Sequence, residues 1–206
     1  MLNPKDQHLL IELLKRGESA KDFLYQDSVG KVTIGTGNLL PTADSVTALS
    51  FINPDGSVAT DQEKRDAYLS VWNAPGIRLN NRAYRAEFYA TFSTIRMPKS
   101  EISRLLSLRI SQFYSEAKKL FPYFDTYPQP ARLALMDMIY NLGRTKLHRL
   151  FPRFNSAIRR RDWSTAAEHS RRGSIPEWRN IETKKLFLKA HIIERTSCRN
   201  PYAALL

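Results

Sequence analysis

Residues 130–143, "PARLALMDMIYNLG", most constrain what this chain can become. Leu133, Leu135, Met136, Met138, Ile139 and Leu142 leave almost no polar face on a helix of this register. Such a helix is stable only when other elements cover it on every side. Pro130 suits a first helical turn, where its missing N–H costs nothing, and Gly143 supplies the stop. The rest of the chain offers the cover. "MPKSEISRLLSLRISQFYSEAKKLF" reads as a long amphipathic helix, capped by Ser100 and ended near Pro122. "RLFPRFNSAIRRR", "DWSTAAEHSRR" and "EWRNIETKKLFLKAHIIERTS" complete a C-terminal helical set. At the other end, Leu9, Leu10, Leu13 and Leu14 recur at helical spacing after Asn3-Pro4, a cap and first-turn proline, and Gly17 closes that helix.

Between these helices the pattern changes. "KVTIGTGNLL", residues 31–40, carries β-branched residues punctuated by glycine and predicts a small hairpin or short sheet. The chain is loop-rich from Pro41 to about Ser57, with "NPDGS" as a strong turn signal. Thr60 and Glu63 form a capping box that opens a helix running to about Asn73. "NAPG" breaks it, and "RLNNRAYRAEFYATF" predicts a further short helix or irregular segment. Its aromatics, Tyr84, Phe88, Tyr89 and Phe92, are read as core rather than as the lining of a groove.

Composition narrows the function. The length of 206 residues supports a sizeable core, and no apolar run approaches a membrane span. "MLNPKDQHLL" lacks the basic start, apolar middle and cleavage site of a signal peptide. Cys198 is the only cysteine, which excludes a disulfide framework and any zinc site built on cysteine pairs. The net charge of +12 attracts polyanions, whether nucleic acid or an anionic cell envelope. The basic residues cluster late, in "RFNSAIRRRDW" and "EHSRRGS", where the plainest reading is a solvated helix face. No zinc-finger spacing, RNA-binding sheet motif or basic region with heptads accompanies them.

The chemistry concentrates in "RGESAKDFLYQDSVGKVTIGTGNLL", residues 16–40. Hydrolysis of a glycosidic bond needs one carboxylic acid that stays protonated and a second group that delivers the nucleophile. Glu18 directly follows an apolar helix and its stop, a place where burial raises a carboxyl pKa. Asp27 sits in a polar turn beside Lys31, and Thr33 offers a hydroxyl for holding a water. Taken singly, each of these residues is equally well read as a solvated or capping side chain.

Their spacing is more specific. Eight residues separate Glu18 from Asp27, five separate Asp27 from Thr33, and Thr33 opens "TIGTG". This run resembles the signature of the phage-type lysozymes, the glycoside hydrolase family of bacteriophage muramidases. "LALMDMIYNLG" resembles that family's buried central helix, "RRRDWSTAAEHS" its later aromatic-and-alanine segment, and "PEWRNIETKKLF", more loosely, its final Arg-rich segment. "FPYFDTYPQPARLALMDMIYNLG" also looks like the lysozyme-type domains of type VI secretion effectors. Residues 43–96 look like an insertion relative to the smaller phage enzymes. There are departures: Ser19 stands where the family has glycine, Asn38 where it has an ion-pairing histidine, and Thr36 where it has tyrosine or an apolar residue.

The resemblance implies a mainly α (α+β), two-lobed lysozyme-like domain over residues 1–206. Its N-lobe would span about 1–99 with a small sheet, and its helical C-lobe about 100–206. It implies cleavage of the β-1,4 bond between N-acetylmuramic acid and N-acetylglucosamine in peptidoglycan, by an antibacterial effector or a phage lysis enzyme. Glu18 would be the general acid. Asp27, aided by Thr33, would activate water on the opposite sugar face, an inverting arrangement with carboxyl groups roughly 6.5–9.5 Å apart. Leu39, Tyr140, Asn141 and His169 become candidate sugar contacts. No metal or organic cofactor is required. The expected partners are glycan strands and an immunity protein, with no specific nucleic acid, and the expected state is a monomer. The chain is expected to be made in the bacterial cytoplasm without a signal peptide and to act on the wall of a target or host cell. Two rivals come from other classes: a lysozyme-fold peptidoglycan-binding module without turnover, and a basic nucleic-acid-binding protein.

Overall fold

The computed structural model describes residues 2–17, 20–173 and 175–199, apart from the side chains of residues 15, 198 and 199, so the Cys198 thiol lies outside it. The chain is mainly helical with one small antiparallel sheet. It divides into two units, one of residues 1–17 with 109–206 and one of residues 18–108.

In the first unit the apolar run becomes the central helix α5 (Gln129–Leu150), in which every residue from Leu133 to Tyr140 is buried. Pro130 lies in its first turn, and Gly143 leaves the helical conformation at φ 69°, ψ 160°, which ends the buried segment as its sequence predicts. The helices α1 (Pro4–Gly17), α6 (Pro152–Arg159), α7 (Trp163–Glu168) and α8 (Glu177–Arg199) belong to the same unit. So does the part of α4 (Lys99–Leu120) from Arg109 onward. The start of α4 differs from expectation. The Pro98 carbonyl accepts the Ile102 N–H at 3.1 Å, so Ser100 already lies within the first turn and does not cap it.

Two buried acids organise this unit. Asp6 on α1 is fully buried and receives Arg132 Nη2 and Gln129 Nε2 of α5, each at 2.6 Å. Asn3 Oδ1 accepts the Asp6 N–H at 2.8 Å, the expected cap. Asp137, inside the apolar run itself, takes Arg172 Nη2 at 2.8 Å, Arg179 Nε at 2.9 Å and the Thr183 hydroxyl at 2.8 Å. Burial pushes the Arg172 guanidinium below its ordinary value, and Asp137 opposes that shift.

The late arginines are therefore not simply a solvated face. Arg172 of "EHSRRGS" is 1% exposed, and Arg161 of "RRRDW" is bound to Glu194 and to the Thr126 carbonyl. Glu194 also accepts Trp163 Nε1 at 2.9 Å. Burial pulls the Glu194 carboxyl upward, but the hydrogen bonds from Arg161 and Trp163 outweigh it and hold the group below its ordinary 4.5.

In the unit of residues 18–108, β1 (Lys21–Gln26), β2 (Val32–Gly35) and β3 (Asn38–Leu39) form an antiparallel sheet in that order. The sheet is too small to make a core alone. Residues 43–96 supply the rest: Phe51, Tyr68, Val71, Tyr89 and Ile95 cluster with Leu24, Val32 and Ile34. The capping box opens α2 (Asp61–Trp72), with the Thr60 N–H donating to Glu63 Oε2 at 2.6 Å. "NPDGS" turns as expected, the Asn53 N–H donating to the Ser57 carbonyl at 2.8 Å. "RLNNRAYRAEFYATF" becomes α3 (Ile77–Asn80) and a 3-10 segment, Ala86–Thr91. Its Tyr89 is 1% exposed and Tyr84, Phe88 and Phe92 pack against the core, so the aromatics are core residues. Among the described residues no helix is long and apolar enough to cross a membrane.

Removing one partner of a buried ion network strands the others without solvent. Asp137→Ala is therefore expected to lower unfolding free energy by about 3–5 kcal/mol, measured by denaturant titration. Glu194 makes a pH prediction. Its native pKa lies below its unfolded value, so its contribution is full above about 4.5 and is lost as pH falls through the lower native value. Glu194→Gln should flatten that part of the stability profile, read as melting temperature against pH.

Candidate active site

The turn between β1 and β2 is built around Asp27. Its N–H donates to the Lys31 carbonyl at 2.9 Å, and its own carbonyl accepts the Gly30 N–H at 3.0 Å. Its side chain closes the turn as well: Oδ1 accepts the N–H of Val29 at 3.0 Å and of Lys31 at 2.9 Å. This local side-chain bonding is why aspartate favours such turns. Oδ2 receives no donor among the described residues, so one carboxylate oxygen is anchored and the other is left to accept.

Gly30 completes the turn at φ +77°, in the left-handed region that glycine enters without steric cost. A methyl group there would also meet Arg78 Cγ at 2.9 Å. Arg78 is itself fixed, with Nη1 donating to the Trp72 carbonyl at 2.7 Å and the guanidinium 3.3 Å above the centre of the Trp72 ring. The segment 43–96 thus braces the Asp27 turn from behind.

Thr33 lies on β2, paired with Tyr25 on one side and Leu39 on the other. Its hydroxyl donates to the Lys31 carbonyl at 3.1 Å, the same oxygen that receives the Asp27 N–H. Thr33 is 3% exposed, and with its proton so committed its Oγ1 can act only as an acceptor. Leu39 is 43% exposed beside it. Asn38 makes a local contact, Nδ2 to the Ile34 carbonyl at 3.4 Å. Asp27, Thr33 and Leu39 are therefore brought onto one small sheet, while Glu18 lies outside the described residues.

Tyr140 and Asn141 meet in the other unit, at the end of the buried part of α5. They line a depression of about 590 Å³ together with Arg109, Phe113, Glu116 and Arg144. The Tyr140 and Phe113 rings pack edge to face with centres 5.4 Å apart. Asn141 Oδ1 and Arg109 Nε are shielded from solvent without a hydrogen-bond partner among the described residues. An aromatic wall, an amide, guanidinium groups and a carboxylate suit hydroxyl- and amide-bearing ligands. Sequence reasoning missed Arg109, Phe113 and Glu116, although their spacing of four and three residues places them on one face of α4. His169 is not among the residues lining this depression; it follows α7, its N–H bonded to the Thr165 carbonyl at 3.1 Å. Among the described residues no three His, Cys, Asp or Glu gather as metal ligands.

No protein-family model matches this chain, and no curated protein matches it.

Gly30 and Gly56 separate two costs. Both have positive φ, but a side chain at Gly56 would meet nothing within 4 Å. Gly56→Ala should cost about 1 kcal/mol from backbone strain alone. Gly30→Ala should cost roughly 2–3 kcal/mol, because Arg78 must also move. Urea unfolding of the two variants measures the difference.

Proposed function

We propose that this chain is a peptidoglycan hydrolase, a muramidase that cleaves the β-1,4 bond between N-acetylmuramic acid and N-acetylglucosamine. The observation that carries the reading is the half-anchored carboxylate of Asp27. Oδ1 is tied to the Val29 and Lys31 amides, Oδ2 accepts nothing among the described residues, and Thr33 hangs from the same Lys31 carbonyl. These residues keep the spacing of the phage-type lysozyme signature, with Glu18 nine positions before Asp27.

In this mechanism a water donates one hydrogen bond to Asp27 Oδ2 and one to Thr33 Oγ1. The two acceptors fix its orientation. As its oxygen attacks the anomeric carbon, its proton passes to Oδ2. Glu18 gives its proton to the departing glycosidic oxygen, so one proton is taken and one returned. The anchored Oδ1 keeps the base from rotating away. Tyr140 and Asn141, in their depression with Arg109 and Glu116, are the proposed contacts for sugar hydroxyl and acetamido groups. The enzyme would act on bacterial wall, as an antibacterial effector countered by an immunity protein or as a phage lysis enzyme.

The test uses purified sacculi and muropeptide release. Glu18→Gln and Asp27→Asn should each lower release by about 10²–10⁴-fold. Asp27→Asn keeps a carbonyl oxygen for the Val29 and Lys31 amides, so the turn persists and the loss reports chemistry. Thr33→Val should cost on the order of tenfold, the worth of one hydrogen bond to the water. The first-formed sugar anomer, followed by NMR, should be inverted. Equal release by the wild type and all three variants would sink the assignment, and a retained anomer would remove Asp27 from the role of base.

A further inference from the structure

A second depression in the unit of residues 1–17 and 109–206, about 370 Å³, has a different chemistry. Lys119, Arg144, His148, Arg149 and Arg159 line it with Thr145 and Leu120. Four full cations and a histidine thus share one small space, and no carboxylate is among the lining residues.

Other cations of the unit are mixed: Arg109, Lys146, Arg153 and Arg160 also have no carboxylate partner among the described residues, while others are paired. Arg132 is paired with Asp6, Arg161 with Glu194, Arg171 with Glu177, Lys118 with Asp125, and Arg172 and Arg179 with Asp137. None of the five basic side chains of the depression has a carboxylate partner among the described residues; Arg159 only overlies the Phe121 ring, 5.9 Å from its centre. Helix geometry explains part of the arrangement. Lys119, Arg149 and Arg159 sit in the last turns of α4, α5 and α6, where the negative ends of the helix dipoles favour cations. That accounts for each cation singly. It does not account for three helix ends lining one depression without a carboxylate.

We propose that this depression is an anion site for a phosphate-bearing ligand, and that two adjacent phosphate groups fit it best. Guanidinium forks match phosphate oxygens two at a time, and Lys119 and the Thr145 hydroxyl add single donors. The charge count favours two groups. A carboxylate would offset one of four cations, whereas each phosphate brings about −1.5 to −2. The site shares Arg144 and Thr145 with the Tyr140 depression, but Lys119, His148, Arg149 and Arg159 line this one and take no part in the hydrolase reading.

Calorimetric titration with inorganic diphosphate tests the site against sulfate at equal ionic strength. Diphosphate should bind with one-to-one stoichiometry and at least tenfold more tightly than sulfate. Arg149→Gln and Arg159→Gln should each weaken it roughly tenfold, the loss of a charge-assisted contact. Lys119→Gln, at an exposed helix end, provides the same test should either arginine variant fail to fold. Equal affinity for sulfate, or unchanged diphosphate binding in the folded variants, would overturn the proposal. Phosphatidylcholine vesicles carrying phosphatidic acid form a second arm. Variant-sensitive binding to them names a lipid headgroup as the source of phosphate; variant-sensitive binding of free diphosphate alone names a soluble one.

Discussion

The Asp137 carboxylate holds the helical unit in register. It sits in the middle of an apolar helix, where a bare carboxylate would cost several kcal/mol. That cost is offset only if every lone pair finds a donor. Arg179 and Thr183 supply donors from α8, and Arg172 supplies one from the segment leading into α8. The network also constrains its neighbours. Arg172 hands its own N–H to Asn180 Oδ1 at 3.0 Å, and Asn180 Nδ2 returns a bond to the Arg172 carbonyl at 3.0 Å. A sliding of α8 by one residue would pull Arg179 and Thr183 off Asp137 in a dry interior. Hydrophobic contacts alone would tolerate such a slip far better, because methyl groups do not distinguish partners. The network therefore fixes where α5 lies against α8.

Asp27 shows the complementary use of a carboxylate. At the surface of a small sheet it does not need rescue from burial, and its Oδ1 is engaged by backbone amides only two and four residues away. Such short-range bonds hold the group without relying on distant packing. The distant packing acts instead on Gly30, through Arg78 and Trp72. The segment 43–96 thus has a physical task that the sheet requires: it helps to bury the short strands and backs the turn that carries Asp27. A hairpin of four-residue and two-residue strands would not persist in water without such cover.

Much of this was legible because the signals were local. The burial of residues 133–140, the breaks at Gly17 and Gly143, the Thr60–Glu63 box and the "NPDGS" turn are all set by neighbours in sequence. The misses share a different cause. Asp137 was passed over inside "LALMDMIYNLG", although a lone acid in an apolar helix implies buried cationic partners. Those partners lie 35 and 42 residues away, so their identity could not be read. For the same reason the sequence places Arg172 on a solvated face. Ser100 is a good capping residue, but Pro98, two positions earlier, already supplies the carbonyl that opens α4. Of the candidate site, the hairpin residues Asp27, Thr33 and Leu39 came from the resemblance to the phage-type lysozyme signature, while Arg109, Phe113 and Glu116 needed the packing of α4 beside α5.

The charge of +12 also changes meaning once partners are assigned. A uniform coat of cations would attract any polyanion and distinguish none, since screened surface charge carries little geometric information. Here many arginines are spent internally. Arg172 and Arg179 are buried on Asp137, Arg132 closes α1 onto α5, and Arg161 locks Glu194. One concentration of cations lies around Lys119, Arg149 and Arg159, where three helix ends meet a single depression. Selectivity among anions depends on such local grouping, because several donors around one depression engage a multivalent anion together while an isolated cation contributes only its field.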